Sequence, residues 1–446
     1  MHYPARRNQT KGQTIISTLI GIAVFLILAN ALFTLVRGSF SILSFNRARI
    51  TARHLAQEKV EFMRNLSYDD VGTAGGIPSG TLAQQEKITR NGLSFTIDTD
   101  IIYIDDPFDG TVPNDLLPTD YKRVRVAVSW GGLTASRDNP IVLVTDISPK
   151  GVESTAGGGT LSVFVIDANG QPVPQADVTI TAATNPAVNL SLQTGDNGRL
   201  ILPGAPPCTA CYHITVGKTG YSTERTYAKT EVANPSKPHL TILSGKLTEV
   251  AFSIDRLSTL AIHSTDNRAS GFLAKGPISF SMRGAKTIGT TTNGTPVYKY
   301  DQTLSTDSSG DLTLGTLEWD NYQITTSGTN PDISGANPSS TLTIAPNTST
   351  TFTMATDTHS TNSLLLTFVS NSQQQIASVS ATLNTTPTAR TVLSGQSTDP
   401  DFGQAFFSSL NATTYQLTAS ASGYINYTGN ISVSGRTQQT IILTGQ

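Results

Sequence analysis

The sequence predicts a mainly β protein with one long N-terminal α-helix: a small α+β head, then three antiparallel β-sandwiches in tandem. Three observations carry this. An uncharged apolar run from Gln13 to Val36 continues into a spaced apolar pattern that reaches Leu66. From Leu93 onward, short runs of apolar alternation rich in β-branched residues are separated by Gly, Asn, Asp and Pro. Beyond residue 160, one strand–turn–strand pattern occurs three times.

The helix comes first in the chain. Met1 to Gly12 carry Arg6, Arg7 and Lys11, and Gln13 to Val36 carry no charge. These 24 residues exceed the roughly 20 that span a bilayer as helix. Positive charge before the span places the N-terminus in the cytoplasm and the bulk of the chain outside. The run is longer than the about 7–15 residues of a signal core, and Val36-Arg37-Gly38-Ser39 is a poor cleavage site, so a retained anchor is expected. Phe45, Ala48, Ala52, Leu55, Ala56, Met63 and Leu66 then recur at helical spacing, with Arg47, Arg49, Arg53, Glu58 and Glu61 between them. Asn65, Tyr68-Asp69-Asp70 and Gly72 end the helix. Its length would be about 80 Å, one half suited to lipid and the other to a protein partner.

Lys11-Gly12 followed by Gln13-Thr14-Ile15-Ile16 resembles the prepilin peptidase site of type IV pilins. The segment from Ala56 to Gly72 is similar to the helix end of pilus modification and pseudopilin-type proteins. The resemblance implies cleavage between Gly12 and Gln13 and methylation of Gln13. It implies prepilin peptidase and other pilin-like subunits as partners. Two positions depart from the family pattern: Gln13 stands where Phe is usual, and Ser17 where major pilins carry Glu. That Glu is thought to pair with a neighbour's N-terminal amine inside the filament, which Ser17 cannot do. The resemblance therefore implies a minor or tip subunit rather than a bulk one.

Three alternating runs make the head: Leu93–Ile104, Tyr121–Trp130 and Ile141–Thr145. Asn91-Gly92 and Gly131-Gly132 are turn signals. A small antiparallel sheet packed on the outer half of the helix gives both apolar faces a partner. Asp105, Asp106 and Asp109 lie in the loop between the first two runs, with Asp115 and Asp120 after them. Clustered carboxylates can bind calcium. The spacing matches no defined calcium loop, and Pro107, Gly110, Pro113 and Pro118 favour a turn-rich reading.

After the Ser154–Gly159 linker the repeat begins. Its first copy contains Leu161–Val165, Ala176–Ile180, Thr194-Gly195-Asp196-Asn197-Gly198 and Tyr212–Val216. The second contains Leu260–Ile262, Ile278–Phe280, Thr306-Asp307-Ser308-Ser309-Gly310 and Tyr322–Thr325. The third contains Leu364–Phe368, Val379–Leu383, Thr398-Asp399-Pro400-Asp401-Phe402-Gly403 and Tyr415–Thr418. Gly to Tyr is 12 residues in the second and third copies and 14 in the first. About seven strands per copy, a Thr-Asp-x-x-Gly turn and a closing strand read as a sandwich. The Tyr is expected to bury its ring and keep its hydroxyl bonded at the sheet edge. The repeat resembles the carboxypeptidase regulatory-like, prealbumin-type sandwich, most clearly in the first copy, and the resemblance implies a stalk or binding module.

The resulting division is a leader over 1–12, the helix over 13–66 with its membrane stretch at 14–36, and a pilin-like β head over 67–150. A linker over 151–159 precedes sandwiches over 160–256, 257–357 and 358–446.

The composition excludes some functions. Charged residues make up 14% and the net charge is −2, which argues against a nucleic-acid partner. Cys208 and Cys211 are the two cysteines, and outside the cytoplasm a short disulfide is the favoured reading. Closing so short a loop should stabilise little. The six histidines have no metal-ligand spacing, and no nucleophile elbow, phosphate loop or zinc motif is present. His213 reads as a packed or solvated strand residue. No enzymatic activity and no cofactor are expected. Ser, Thr and Asn on edges and loops suit contacts with surface carbohydrate or protein equally. Two roles remain: a pilus-associated subunit displaying sandwiches for adhesion or spacing, or a single-pass surface stalk outside any pilus.

Overall fold

The computed structural model describes residues 15–106, 119–131, 140–149, 158–384 and 388–446. Gly12, Gln13, Asp109 and residues 151–157 of the linker fall outside these ranges. The chain forms two compact units: Met1–Gly158 with Leu202–Ala205, and Gly159–Ile201 with Pro206–Gln446.

In the first unit, helix α1 runs from Ile15 to Arg64 without a break. Asn65 closes it, its side-chain amide donating back to the Glu61 carbonyl at 2.8 Å. Ala48, Ala52, Leu55, Ala56, Val60 and Met63 form its buried stripe. Small residues at steps of four let the helix lie close on the sheet. That sheet is β1 (Gln85–Arg90), β2 (Leu93–Ile104), β3 (Tyr121–Trp130) and β4 (Ile141–Ile147), in that order and antiparallel throughout. Phe95, Ile97, Ile101, Val124, Val126, Val128 and Trp130 face the helix and complete one core.

The head thus has four strands where three were expected. Gln85, Glu86, Lys87 and Arg90 give β1 little apolar alternation. Cross-strand pairing with β2 through a two-residue hairpin holds it instead. Asn91 and Gly92 both take positive φ, 51° and 75°, as the tight hairpin requires.

The chain from Gly159 onward, Leu202–Ala205 of β8 included, folds into three sandwiches. The first has β5 (Gly159–Ile166), β6 (Asp177–Ala182), β7 (Val188–Gln193), β8 (Arg199–Ala205) and β9 (Cys208–Gly217). Short strands β10 (Glu224–Arg225), β11 (Asn234–Pro235) and β12 (Leu240–Ile242) follow, and β13 (Leu247–Ser253) closes it. The second has β14 (Ser258–Thr265), β15 (Ser279–Gly284), β16 (Thr287–Thr290), β17 (Pro296–Tyr298) and β18 (Asp301–Ser305). It continues with β19 (Asp311–Leu317), β20 (Asp320–Thr325), β21 (Asp332–Asn337), β22 (Thr341–Ile344) and β23 (Ser349–Asp357). The third has β24 (Ser363–Ser370), β25 (Ser380–Leu383), β26 (Arg390–Leu393) and β27 (Gln404–Phe407). Strands β28 (Thr414–Ser420), β29 (Tyr427–Ser432) and β30 (Arg436–Leu443) complete it.

The sheets repeat one plan. One sheet contains β13-β5-β8, β23-β14-β19 or β30-β24-β27; the facing sheet contains β7-β6-β9, β18-β15-β20 or β26-β25-β28. Among the described strands, the first and last of each sandwich, β5 and β13, β14 and β23, β24 and β30, pair in parallel.

The repeated glycine and tyrosine have physical reasons. Gly198, Gly310 and Gly403 all have positive φ, between 65° and 87°. Their carbonyls accept from Val165, Ser264 and Phe368 on the first strand, at 2.7–2.9 Å. A Cβ at Gly198 or Gly310 would sit 2.6 or 2.5 Å from a first-strand carbonyl oxygen, so a side chain is excluded twice over. Tyr212, Tyr322 and Tyr415 are buried, and their hydroxyls donate to the carbonyls of Pro206, Glu318 and Asn411 at 2.8, 2.7 and 3.2 Å. The Tyr322→Phe variant is expected to lose about 1 kcal/mol, because the part-buried Glu318 carbonyl loses its donor. Calorimetry of the full-length protein in detergent would read this as a lowered transition; an unchanged transition would mean the carbonyl is adequately solvated.

One part of the repeat alignment is corrected. Thr194 Oγ1 accepts from Ala176 N at 2.9 Å, and Thr306 Oγ1 from Ile278 N at 3.0 Å. The equivalent hydroxyl in the third sandwich is Ser394, whose Oγ accepts from Val379 N at 2.9 Å. Thr398 does not take that place. Hydroxyl to Gly is four residues in the first two copies (194 to 198, 306 to 310) and nine in the third (394 to 403), so the third turn carries five extra residues.

Candidate functional site

Two features stand out from the residues upward: the far half of α1, and the two junctions between sandwiches. From Ile20 to Leu43 the large apolar side chains of α1 are between 48% and 69% exposed, and Ile27 and Phe25 are among the barest. Among the described residues α1 is the one helix long and apolar enough to cross a membrane. The change of surroundings along α1 is abrupt. Phe45 meets Trp130 with ring centroids 5.6 Å apart, and Ala48 is fully buried.

The near end of α1 is tied to the head by polar contacts. Lys59 pairs with Glu86 at 2.7 Å, and Arg64 donates to Thr145 Oγ1 at 2.8 Å. Buried Lys122 donates its Nζ to the carbonyls of Tyr68 and Val71 at 2.6 and 2.8 Å, just past the helix. Burial lowers Lys122 to about 8, against the opposing pull of Asp69 and Asp70. Burial raises Tyr68, whose ring lies 4.4 Å from that ammonium, to about 12. Lys122 was not singled out in sequence. Its signal was parity, since it shares a strand face with Val124, Val126 and Val128.

At the first junction β11 of sandwich one pairs with β16 of sandwich two, and Ser236 N donates to the Ile288 carbonyl at 3.0 Å. Lys299 bridges Glu224 and Glu318 at 3.2 and 2.8 Å, and Lys286 pairs with Glu318 at 2.8 Å. Lys286, Lys299 and Glu318, with Tyr221, Tyr300 and Asp320, line a cavity of about 300 Å³. Its lysines and carboxylates face one another in ion pairs, so the arrangement joins the sandwiches.

At the second junction Asp332 is 1% exposed. Its carboxylate accepts from Arg436 Nε at 2.6 Å and pairs with His359 Nδ1 at 2.9 Å. Burial alone would raise Asp332; the bonds from His359, Arg436 and Ser360 outweigh it and hold the group below its ordinary value. Gln404, also buried, makes a two-way bond to the Ala336 backbone, accepting at 3.1 Å and donating at 2.6 Å. Arg268 pairs with Asp401 at 2.7 Å. Leu365 and Phe406 of sandwich three pack into the core of sandwich two.

The residues singled out in sequence fall as follows. Cys208 and Cys211 are disulfide-bonded at the start of β9, Cα atoms 6.1 Å apart. Asp105 and Asp106 follow β2, and the Asp106 N–H donates to the carboxylate of Asp120, the residue just before β3. Among the described residues no three His, Cys, Asp or Glu side chains gather as a metal site would need. His213 stacks on His239, centroids 3.6 Å apart and 11° between planes. Burial, then His213, lowers His239. Stacked faces do not aim two nitrogens at one ion. His263 bonds Asp311 at 2.5 Å across the β14–β19 ladder, both about half exposed.

Residues 160–252 match the family model of the carboxypeptidase regulatory-like domain, so the first sandwich is of that class. No curated protein matches the chain. Among solved structures, the Bacillus anthracis TIE protein is 13% identical, covering 82% of this chain and 74% of its own at a TM-score of 0.19. A Streptococcal ancillary pilin is 10% identical over 65% of this chain and 99% of its own, TM-score 0.18. BcpA, the major pilin subunit of Bacillus cereus, is 10% identical over 65% and 100%, TM-score 0.17. At such TM-scores these likenesses carry no inference about this chain.

Proposed function

We propose that the chain is a non-enzymatic surface subunit of type IV pilin-like kind, a minor or tip component rather than a bulk one. The carrying observation is the continuity of α1: an apolar stretch without a protein partner runs unbroken into a stretch docked in a folded head. A helix so divided enters lipid, and then a bundle of like helices, while holding its head outside. Arg6, Arg7 and Lys11 before the span support a cytoplasmic N-terminus and outward sandwiches. The partners are other pilin-like subunits, prepilin peptidase and the membrane, with Ser-, Thr- and Asn-rich surfaces open to carbohydrate or protein.

The second reading is a single-pass surface stalk outside any filament, favoured by Gln13 and Ser17 where the pilin pattern has Phe and Glu. The mass of the mature chain from its own host's envelope separates the two. A chain beginning at Gln13 with one added methyl group is expected; an intact Met1 start would transfer the case to the stalk.

A further inference from the structure

We infer that each sandwich is a shear-loaded mechanical clamp, so that the tandem carries tension between the anchor and whatever its outer end holds. The inference rests on the reading of the chain as an anchored surface spacer. The carrying observation is topological. In all three sandwiches the chain enters on one strand and leaves on a strand paired to it in parallel: Thr160–Ile166 with Leu247–Ser253, Thr259–Thr265 with Ser349–Ala355, Ser363–Ser370 with Arg436–Leu443.

Parallel pairing puts the entry of the first strand and the exit of the last at opposite poles. Tension through the chain then pulls the two strands along their length in opposite directions. Seven, seven and eight registered pairs resist together. Had these strands paired antiparallel, entry and exit would share a pole, and the ladder would open one rung at a time. Each hydrogen bond by itself adds little net stability. Loading them together or singly therefore decides the barrier, and forced unfolding follows that barrier.

The connections suit the same load path. Only Ile254–Leu257 separate β13 from β14, and Ile254 is fully buried. Residues 358–362 separate β23 from β24. The clasps at the joints, Lys299 with Glu224 and Arg436 with Asp332, keep each sandwich seated on the next, so extension is resisted in the ladders.

Single-molecule pulling on the purified full-length protein in detergent tests this, and needs neither filament nor membrane, so its failure is separable from failure of the anchoring reading. Handles at S148C and Q446C load every sandwich in shear. Handles at S370C and Q446C grip the third sandwich at one pole, where Ser370 pairs with Leu443, and peel its ladder. The expected result is three high-force events in the first geometry and a several-fold lower force in the second. Equal forces in both geometries would overturn the inference.

Discussion

Arg436→Ala is expected to destabilise the second junction by about 3–5 kcal/mol, the cost of leaving a buried carboxylate without its counter-charge. Asp332 is 1% exposed and cannot turn to water, and Arg436 also donates to the Gly328 and Asn330 carbonyls at 3.1 and 2.5 Å. Adding Asp332→Asn to the variant should recover part of the loss, because the charge is then gone. Calorimetry of the full-length protein in detergent would show the transition of sandwich three lowered and separated from its neighbour. The pH dependence has a definite sign. Asp332 is held below its ordinary 3.8, so its stabilisation is present above that value and lost as pH falls through the folded one. The gap between wild type and variant should therefore narrow below about pH 4. A gap that stayed constant in acid would mean that the carboxyl is already neutral in the folded protein.

The second large effect lies in the head. Ala52→Glu should unfold the contact between α1 and the sheet, with a loss of several kcal/mol. Ala52 is fully buried in a core of Leu55, Val126 and Trp130, so the variant adds volume and an unpaired charge at one point. Glu is a good helix former, so the helix itself is not the target. Arg53→Glu, one residue on and exposed, is the matched control and should change little. Limited proteolysis would read the difference: Ala52→Glu opens cleavage sites in β1–β4, and the control does not. Equal resistance of both variants would mean that the helix does not depend on this contact.

How much of this could be read in the chain follows from what each feature depends on. The docked stripe of α1 is written at helical spacing, because burial of Ala48, Ala52, Ala56 and Met63 depends on local geometry. The repeat glycines and tyrosines were legible because each does one job at a fixed distance. Ser394 was hidden by five extra residues and by a motif lookalike at Thr398. Strand β1 was hidden because pairing with β2, not burial, holds it. The parallel closing strands leave no mark in alternation, which has period two in either direction. Lys122 could have been found from its inward parity. Asp332 and Arg436, 104 residues apart, could not, since nothing local in either segment calls for the other.

The central claim is that the half of α1 from Ile20 to Leu43 lives in lipid or among like helices, and the most direct measurement is alkaline carbonate extraction of envelopes that contain the full-length chain. The protein should stay with the membrane pellet, or with sheared filaments, until detergent releases it. Recovery in the carbonate supernatant with α1 intact would contradict that placement, and with it the reading of the sandwiches as an outward-facing tether.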